Sequence, residues 1–239
     1  MSSFGGPNIV TDGLVLHLDA GNVKSYQSGS TTWLDKSGYG NNGTLINGPT
    51  FNSANGGSLV FDGVDDYATI PNTITNNFPI NGITVQAWVN HNNFNGSQAY
   101  INNWHSFAST QRGFILRTFN GQTFPSFWWC WGSSSGTGSY STVYADSFSM
   151  NVNTWYHVVG VYEKGVSARI YGNGILRKTN TSVTNDIVYD TTNGVHIGSS
   201  NINSSKMNGK ISSFKIYNRA LTAQEVLQNY DATKIRFGL

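Results

Sequence analysis

Apolar residues along this chain fall in short runs, most of them alternating with polar ones. The runs include LVLHLDA (14–20), SLVFDG (58–63), YATI (67–70), ITVQAWVNH (83–91), GFILRTF (113–119), SFWWCW (126–131), WYHVVGVYEK (155–164), SARIYGNG (167–174), GVHIG (194–198) and KISSFKIYNRA (210–220). A period of two is the signature of a strand with one buried face. Asn-Gly pairs punctuate the runs at 42–43, 47–48, 55–56, 81–82, 95–96, 120–121, 173–174, 193–194 and 208–209. Both residues tolerate positive φ, so each pair is read as a tight turn. Many short strands at such spacing predict an all-β, antiparallel β-sandwich.

Two local features are sharper. Residues 155–178 read as a hairpin, with Tyr156, Val158 and Gly160 on one arm, Ala168, Ile170 and Gly172 on the other, and Lys164-Gly165 at the turn. Near the C-terminus LTAQEVLQNY predicts one short helix. Thr222 and Glu225 are spaced as a capping box, and Leu221 and Val226 as a hydrophobic staple across it. Ala223, Val226, Leu227 and Tyr230 are the expected apolar stripe.

The segment SLVFDGVDDYATIP concentrates acid. Alternation turns Leu59, Phe61, Ala68 and Ile70 inward, and Asp62-Gly63 reverses the chain between them. Asp62, Asp65 and Asp66 then either bond backbone amides in a turn or, with Asp19, ligate a calcium ion. The spacing is not that of an EF-hand, and the turn reading is preferred.

Composition narrows the classes. The chain has 239 residues, 11% of them charged and 13% aromatic, with 27 glycines. A charged fraction near 25% is usual. The aromatic content argues against disorder and for a turn-rich β protein solubilised by Asn, Ser and Thr. Net charge is +2 without a basic block, so nucleic-acid binding is not expected. No apolar run has the length of a membrane span, so no membrane insertion is expected. MSSFGGPNIV lacks the features of a secretion signal. The single cysteine, Cys130, excludes an intrachain disulfide and reads as a buried thiol. Residues 1–8 and the final KIRFGL read as terminal arms around a core of about 13–230 in one domain. The apolar tail IRFGL is expected to dock, on this chain or on a neighbour.

Taken in order, GLVLHLDAGN with TTWLDKSGYGNNGTL, SLVFDGVDDYATIP, ITVQAWVN with NTWYHVVGVYEKGVSARIYGNGIL, and MNGKISSFKIYNRALTAQEVLQNY resemble the laminin-G-like, concanavalin A-like jelly-roll family. The likeness is greatest to its phage and bacterial surface-protein branch. It implies two antiparallel sheets in a sandwich with a short C-terminal helix. Function does not follow, since this fold carries lectins, hydrolases, lyases and inert modules. Many family members have an Asp-Glu pair where this chain has Ser212 and Ser213, which removes carboxylates that support a structural calcium.

Candidate chemistry is sparse. Glycosidases of this type need closely placed carboxylates. Only Glu163 and Glu225 are glutamates, one beside a turn and one in a helix cap. Histidines 17, 91, 105, 157 and 196 are scattered, and no nucleophile motif occurs. The chain therefore reads as non-catalytic. Sugar recognition uses aromatic faces with amide and hydroxyl groups. In PSFWWCWG, Phe127, Trp129 and Trp131 share one strand face, and Trp128 and Cys130 the other. Trp104 and Trp128 are the candidate glycan contacts, with Tyr140 and Tyr144 flanking the loop GSSSGTGSY. The expected role is adhesion or display on a viral particle surface. Candidate partners are a cell-surface glycan, other virion proteins and a second copy of the chain. A purely structural decoration protein and a polysaccharide-degrading enzyme are the competing classes.

Overall fold

The computed structural model describes residues 7–79, 81–107, 110–131, 139–183, 185–200 and 205–239, with the side chains of 105–107 and 110 left aside. Two antiparallel sheets face each other. The first runs, edge to edge, Ile175–Asn180, Ser167–Gly172, Trp155–Glu163, Gly82–His91, Asn208–Tyr217, Ser58–Asp62 and Thr50–Asn52, with Leu14–Asp19 also paired to Asn208–Tyr217. The second runs Ser139–Tyr144, Pro125–Trp131, Phe114–Thr118, Gln98–Asn102, Val195–Ile197, Tyr67–Ile70, Gly43–Ile46 and Thr32–Trp33.

One apolar core lies between the sheets, and alternation selects it as expected. Val85, Ala87, Val89, Val158 and Ile170 enter from the first sheet, and Leu116, Phe127, Trp129 and Ile197 from the second. In the hairpin, Val158 faces Gly172 and Gly160 faces Ile170 across the two arms, as the period of two requires. Gly160 is needed where it stands: a Cβ there would lie 2.5 Å from the Phe127 ring across the sandwich.

Several expectations change in three dimensions. Leu59, Phe61, Ala68 and Ile70 are all fully buried. Ser58–Asp62 and Tyr67–Ile70 nevertheless lie in different sheets, so DGVDD is a crossover between layers rather than a reversal within one. Both Asn and Gly have positive φ at 47–48, 55–56, 120–121 and 173–174. Gly43, Gly82 and Gly209 instead lie within strands, where ladder pairing overrides local turn preference.

The helix is Ala223–Asp231, with the Thr222–Glu225 capping box formed in both directions. Its buried residues are Val226 and Asn229, whereas Ala223 is exposed. Asn229 displaces Ala223 from the expected stripe because its amide has work to do. Its Oδ1 accepts from Val10 N at 2.8 Å, and its Nδ2 donates to the Tyr217 hydroxyl at 3.1 Å.

Neither described end is a free arm. Gln228 Nε2 donates to Asn8 O at 2.8 Å, and Val10 joins an apolar cluster with Leu14, Val159, Tyr217, Leu221 and Val226. The tail docks on its own chain: Phe237 stacks on Trp88 at 4.1 Å and lies 4.8 Å from Trp155. Arg236 Nη1 donates to Asp19 Oδ1 at 2.7 Å, and its Nη2 donates to Ser212 Oγ at 2.7 Å. Helix and tail thus cover the outer face of the first sheet. Among the described residues no α-helix lies on the outer face of the second.

Candidate functional site

Alternation along Pro125–Trp131 sends Phe127 and Trp129 into the core and leaves Ser126, Trp128 and Cys130 on the outer face of the second sheet. Neighbouring strands add to that face by register. Ile115 pairs with Trp128, Arg117 with Ser126, and Tyr140 with Cys130. The four aromatic residues singled out from the sequence come together here. Trp128 stacks on Tyr140 at 5.1 Å and 9°, and meets Tyr144 edge-on at 6.0 Å. Trp104 meets Trp128 at 6.0 Å and Tyr140 at 5.5 Å, both edge-on.

Their exposures differ, and that sets their roles. Trp104 and Trp128 are only 7% and 6% exposed, whereas Tyr140 is 45% exposed. The two indoles brace the patch, and Tyr140 offers the open ring. The Trp128 indole is itself fixed, donating Nε1–H to Ser126 Oγ at 2.9 Å. Trp104 is held by Asn102, whose Oδ1 accepts its backbone N–H at 2.8 Å. Residues 132–138 of the adjoining Gly/Ser loop lie outside the described residues.

Arg117 and Phe119 join the patch without having stood out in the sequence. The Arg117 guanidinium lies 4.1 Å over the Trp128 ring and 4.5 Å over Phe119. Burial lowers its pKa to about 10, and its Nε is buried without a hydrogen-bond partner. No ion pair is formed by Arg117 among the described residues. The signal was present in GFILRTF, where Arg117 shares its strand face with Ile115 and Phe119, but only pairing with Pro125–Trp131 shows what that face meets. Further along the same outer face Tyr67 stacks on His196 at 5.4 Å.

The acidic segment is a separate place. Ligand atoms of Asp62, Asp65 and Asp66 lie within 4.8 Å of one another. Val64 N and Asp65 N donate to Asp62 Oδ1 at 2.7 and 3.3 Å, and Asp62 N donates to Asp66 Oδ2 at 3.0 Å. Those amides hold the Asp62 carboxyl below its usual range, while burial pushes Asp66 up. Asp19 does not join them, being paired with Arg236. Ser212 Oγ donates to Gly57 O at 2.7 Å and also receives Arg236. One of the two serines at the family's acidic positions therefore anchors the tail.

Among the described residues, both glutamates are ion-paired, and two histidines and the cysteine are buried. Glu163 pairs with Arg169 at 2.8 Å, and Glu225 with Arg219 at 2.7 Å. Burial lowers His91 to about 4 and His157 to about 3, leaving both neutral near pH 7. The Cys130 thiol is pushed up by burial, far from a reactive thiolate.

A family model described as Concanavalin A-like lectin/glucanases superfamily matches residues 62–227. No curated protein matches the chain. Among solved structures, the receptor binding domain of botulinum neurotoxin C/D mosaic serotype is similar with a TM-score of 0.66 at 17% identity, over 92% of this chain and 51% of that one. The binding domain of botulinum neurotoxin DC in complex with rat synaptotagmin II gives 0.67 at 17%, over 94% and 52%. The botulinum neurotoxin serotype D ligand binding domain in complex with N-acetylneuraminic acid gives 0.66 at 18%, over 92% and 51%. At such identities the likeness is one of fold. The chain spans about half the length of these solved structures.

Proposed function

Because this chain belongs to the concanavalin A-like lectin/glucanases superfamily, we propose that it is a non-catalytic glycan-binding domain using the outer face of its second sheet. The observation that carries this reading is the Trp104–Trp128–Tyr140–Tyr144 cluster on a face that no α-helix covers among the described residues. An exposed ring braced from below suits the apolar face of a sugar. The unpaired Arg117 guanidinium beside it suits a sugar carboxylate. The serotype D neurotoxin domain in complex with N-acetylneuraminic acid supports a glycan partner. Engagement of both glutamates by arginines supports the non-catalytic half of the proposal.

The finer placement, on the surface of a phage particle with other virion proteins, rests on the composition and on the family branch the segments resemble. Glycan-array binding tests the central reading. Tyr140 is exposed, so Tyr140→Ala should keep the fold and lose binding by about tenfold, the scale of one aromatic contact of 1–2 kcal/mol. Unchanged binding in that variant would remove the site from this face. Release of new reducing ends from a polysaccharide would replace the lectin by an enzyme. Particle association without any glycan binding would leave a decoration protein.

A further inference from the structure

A cleft opens on the outer face of the first sheet where the helix and tail stop, on the other sheet from the aromatic patch. Its volume is about 350 Å³. Its floor is a row across three paired strands, since Asn90 lies opposite Trp155 on one side and Lys210 on the other. Asn52, Asn55 and Asn153 form the rim, and Phe237 of the docked tail closes one wall.

The walls are built rather than loose. Trp155 donates its indole N–H to Asn55 Oδ1 at 3.2 Å, and Arg236 Nε holds the Asn55 carbonyl at 3.1 Å. Asn153 has a positive φ of 57° and donates its backbone N–H to His91 O at 2.7 Å. Asn90 is the informative residue. It is 3% exposed, lines the cleft, and its Oδ1 is buried with no hydrogen-bond partner. A buried amide oxygen without a donor costs stability, and such groups are rare unless a ligand or water completes them. Lys210 makes no ion pair with a side chain among the described residues, and Ala54, Thr154 and Leu239 complete a lining without an Asp or Glu side chain.

We propose that this cleft is a second binding site, independent of the aromatic patch, for a saccharide unit carrying a carboxylate. The chemistry is specific on three counts. The Asn90 oxygen needs a donor, which a sugar hydroxyl supplies. The rim amides give and accept hydrogen bonds with neighbouring hydroxyls. Lys210 provides a positive charge for the carboxylate.

Glucuronic acid and glucose differ at a single carbon, and titrating each into the full chain under ¹H–¹⁵N NMR isolates the charge. The Asn90 side-chain amide and the Trp155 indole N–H should shift saturably with glucuronic acid. Glucose should bind about tenfold more weakly, the scale of one charge-assisted contact. Lys210→Met keeps the stem and should bring glucuronic acid down to the glucose level. Lys210→Gln serves the same end if the methionine variant melts early. Still signals at Asn90 and Trp155 with both sugars would overturn the site, as would equal affinity for the two. Shifts confined to the Trp104 and Trp128 indoles would do the same here while supporting the other face. Loss of those two alone would leave this cleft standing.

Discussion

Arg236 is where the tail is fastened, and replacing it by alanine tests the docking quantitatively. Its guanidinium spends all three nitrogens on the protein. Nη1 reaches Asp19 Oδ1 at 2.7 Å, Nη2 reaches Ser212 Oγ at 2.7 Å and Gly57 O at 2.8 Å, and Nε reaches Asn55 O at 3.1 Å. Arg236 and Asp19 side chains are 19% and 18% exposed, so the pair is largely withdrawn from water. Breaking a fully buried pair costs about 3–5 kcal/mol, and hydrogen bonds to charged groups contribute about 1.5–3 kcal/mol each. Partial exposure lets water reach the freed Asp19 and the 55–57 carbonyls, which brings the expected loss to about 2–3 kcal/mol. Urea denaturation followed by tryptophan fluorescence reads this directly. With a slope of about 2–3 kcal/mol/M for a chain of this size, the midpoint should fall by about 1 M. Arg236→Lys keeps a charge for Asp19 but loses the planar fork, so about half the loss should remain. A change within about 0.5 kcal/mol for Arg236→Ala is what an unanchored surface residue gives, and would refute the docking argument.

Two further outcomes follow from charge. The Arg219 guanidinium, with the helix-cap amide of Thr222, lowers Glu225 to about 2, whereas an unfolded glutamate titrates near 4.3. A depressed folded pKa means that this contribution is present above about pH 4.3 and is lost as pH falls toward about 2. Acid unfolding of Glu225→Gln should therefore be flatter across that window than that of the parent, and parallel curves would contradict the assignment. At the acidic crossover, backbone amides already occupy Asp62 and Asp66. Thermal melting should accordingly be the same in calcium and in chelator. A rise with calcium that Asp65→Asn removes would assign an ion to the loop.

The sequence by itself determined which residues face inward and where the helix begins. Both are local properties: strand alternation is set by the pleat, and the Thr222–Glu225 cap closes within one turn. It also grouped Trp128 with Cys130 and set them apart from Phe127 and Trp129, because neighbours on a strand must take opposite faces. Pairing and covering were decided elsewhere. Ser58–Asp62 and Tyr67–Ile70 are joined by a short loop, yet their hydrogen-bond partners place them in opposite sheets. The Asn229 side chain takes a buried helix position because Val10, 219 residues away, needs an acceptor. Arg117 gained its place over Trp128 from strand register, and the cleft at Asn90 exists only because the tail returns to wall it. Such contacts carry no local periodicity. They arise when distant segments compete to satisfy the same buried polar groups and apolar faces, and only the folded chain shows which segments prevail.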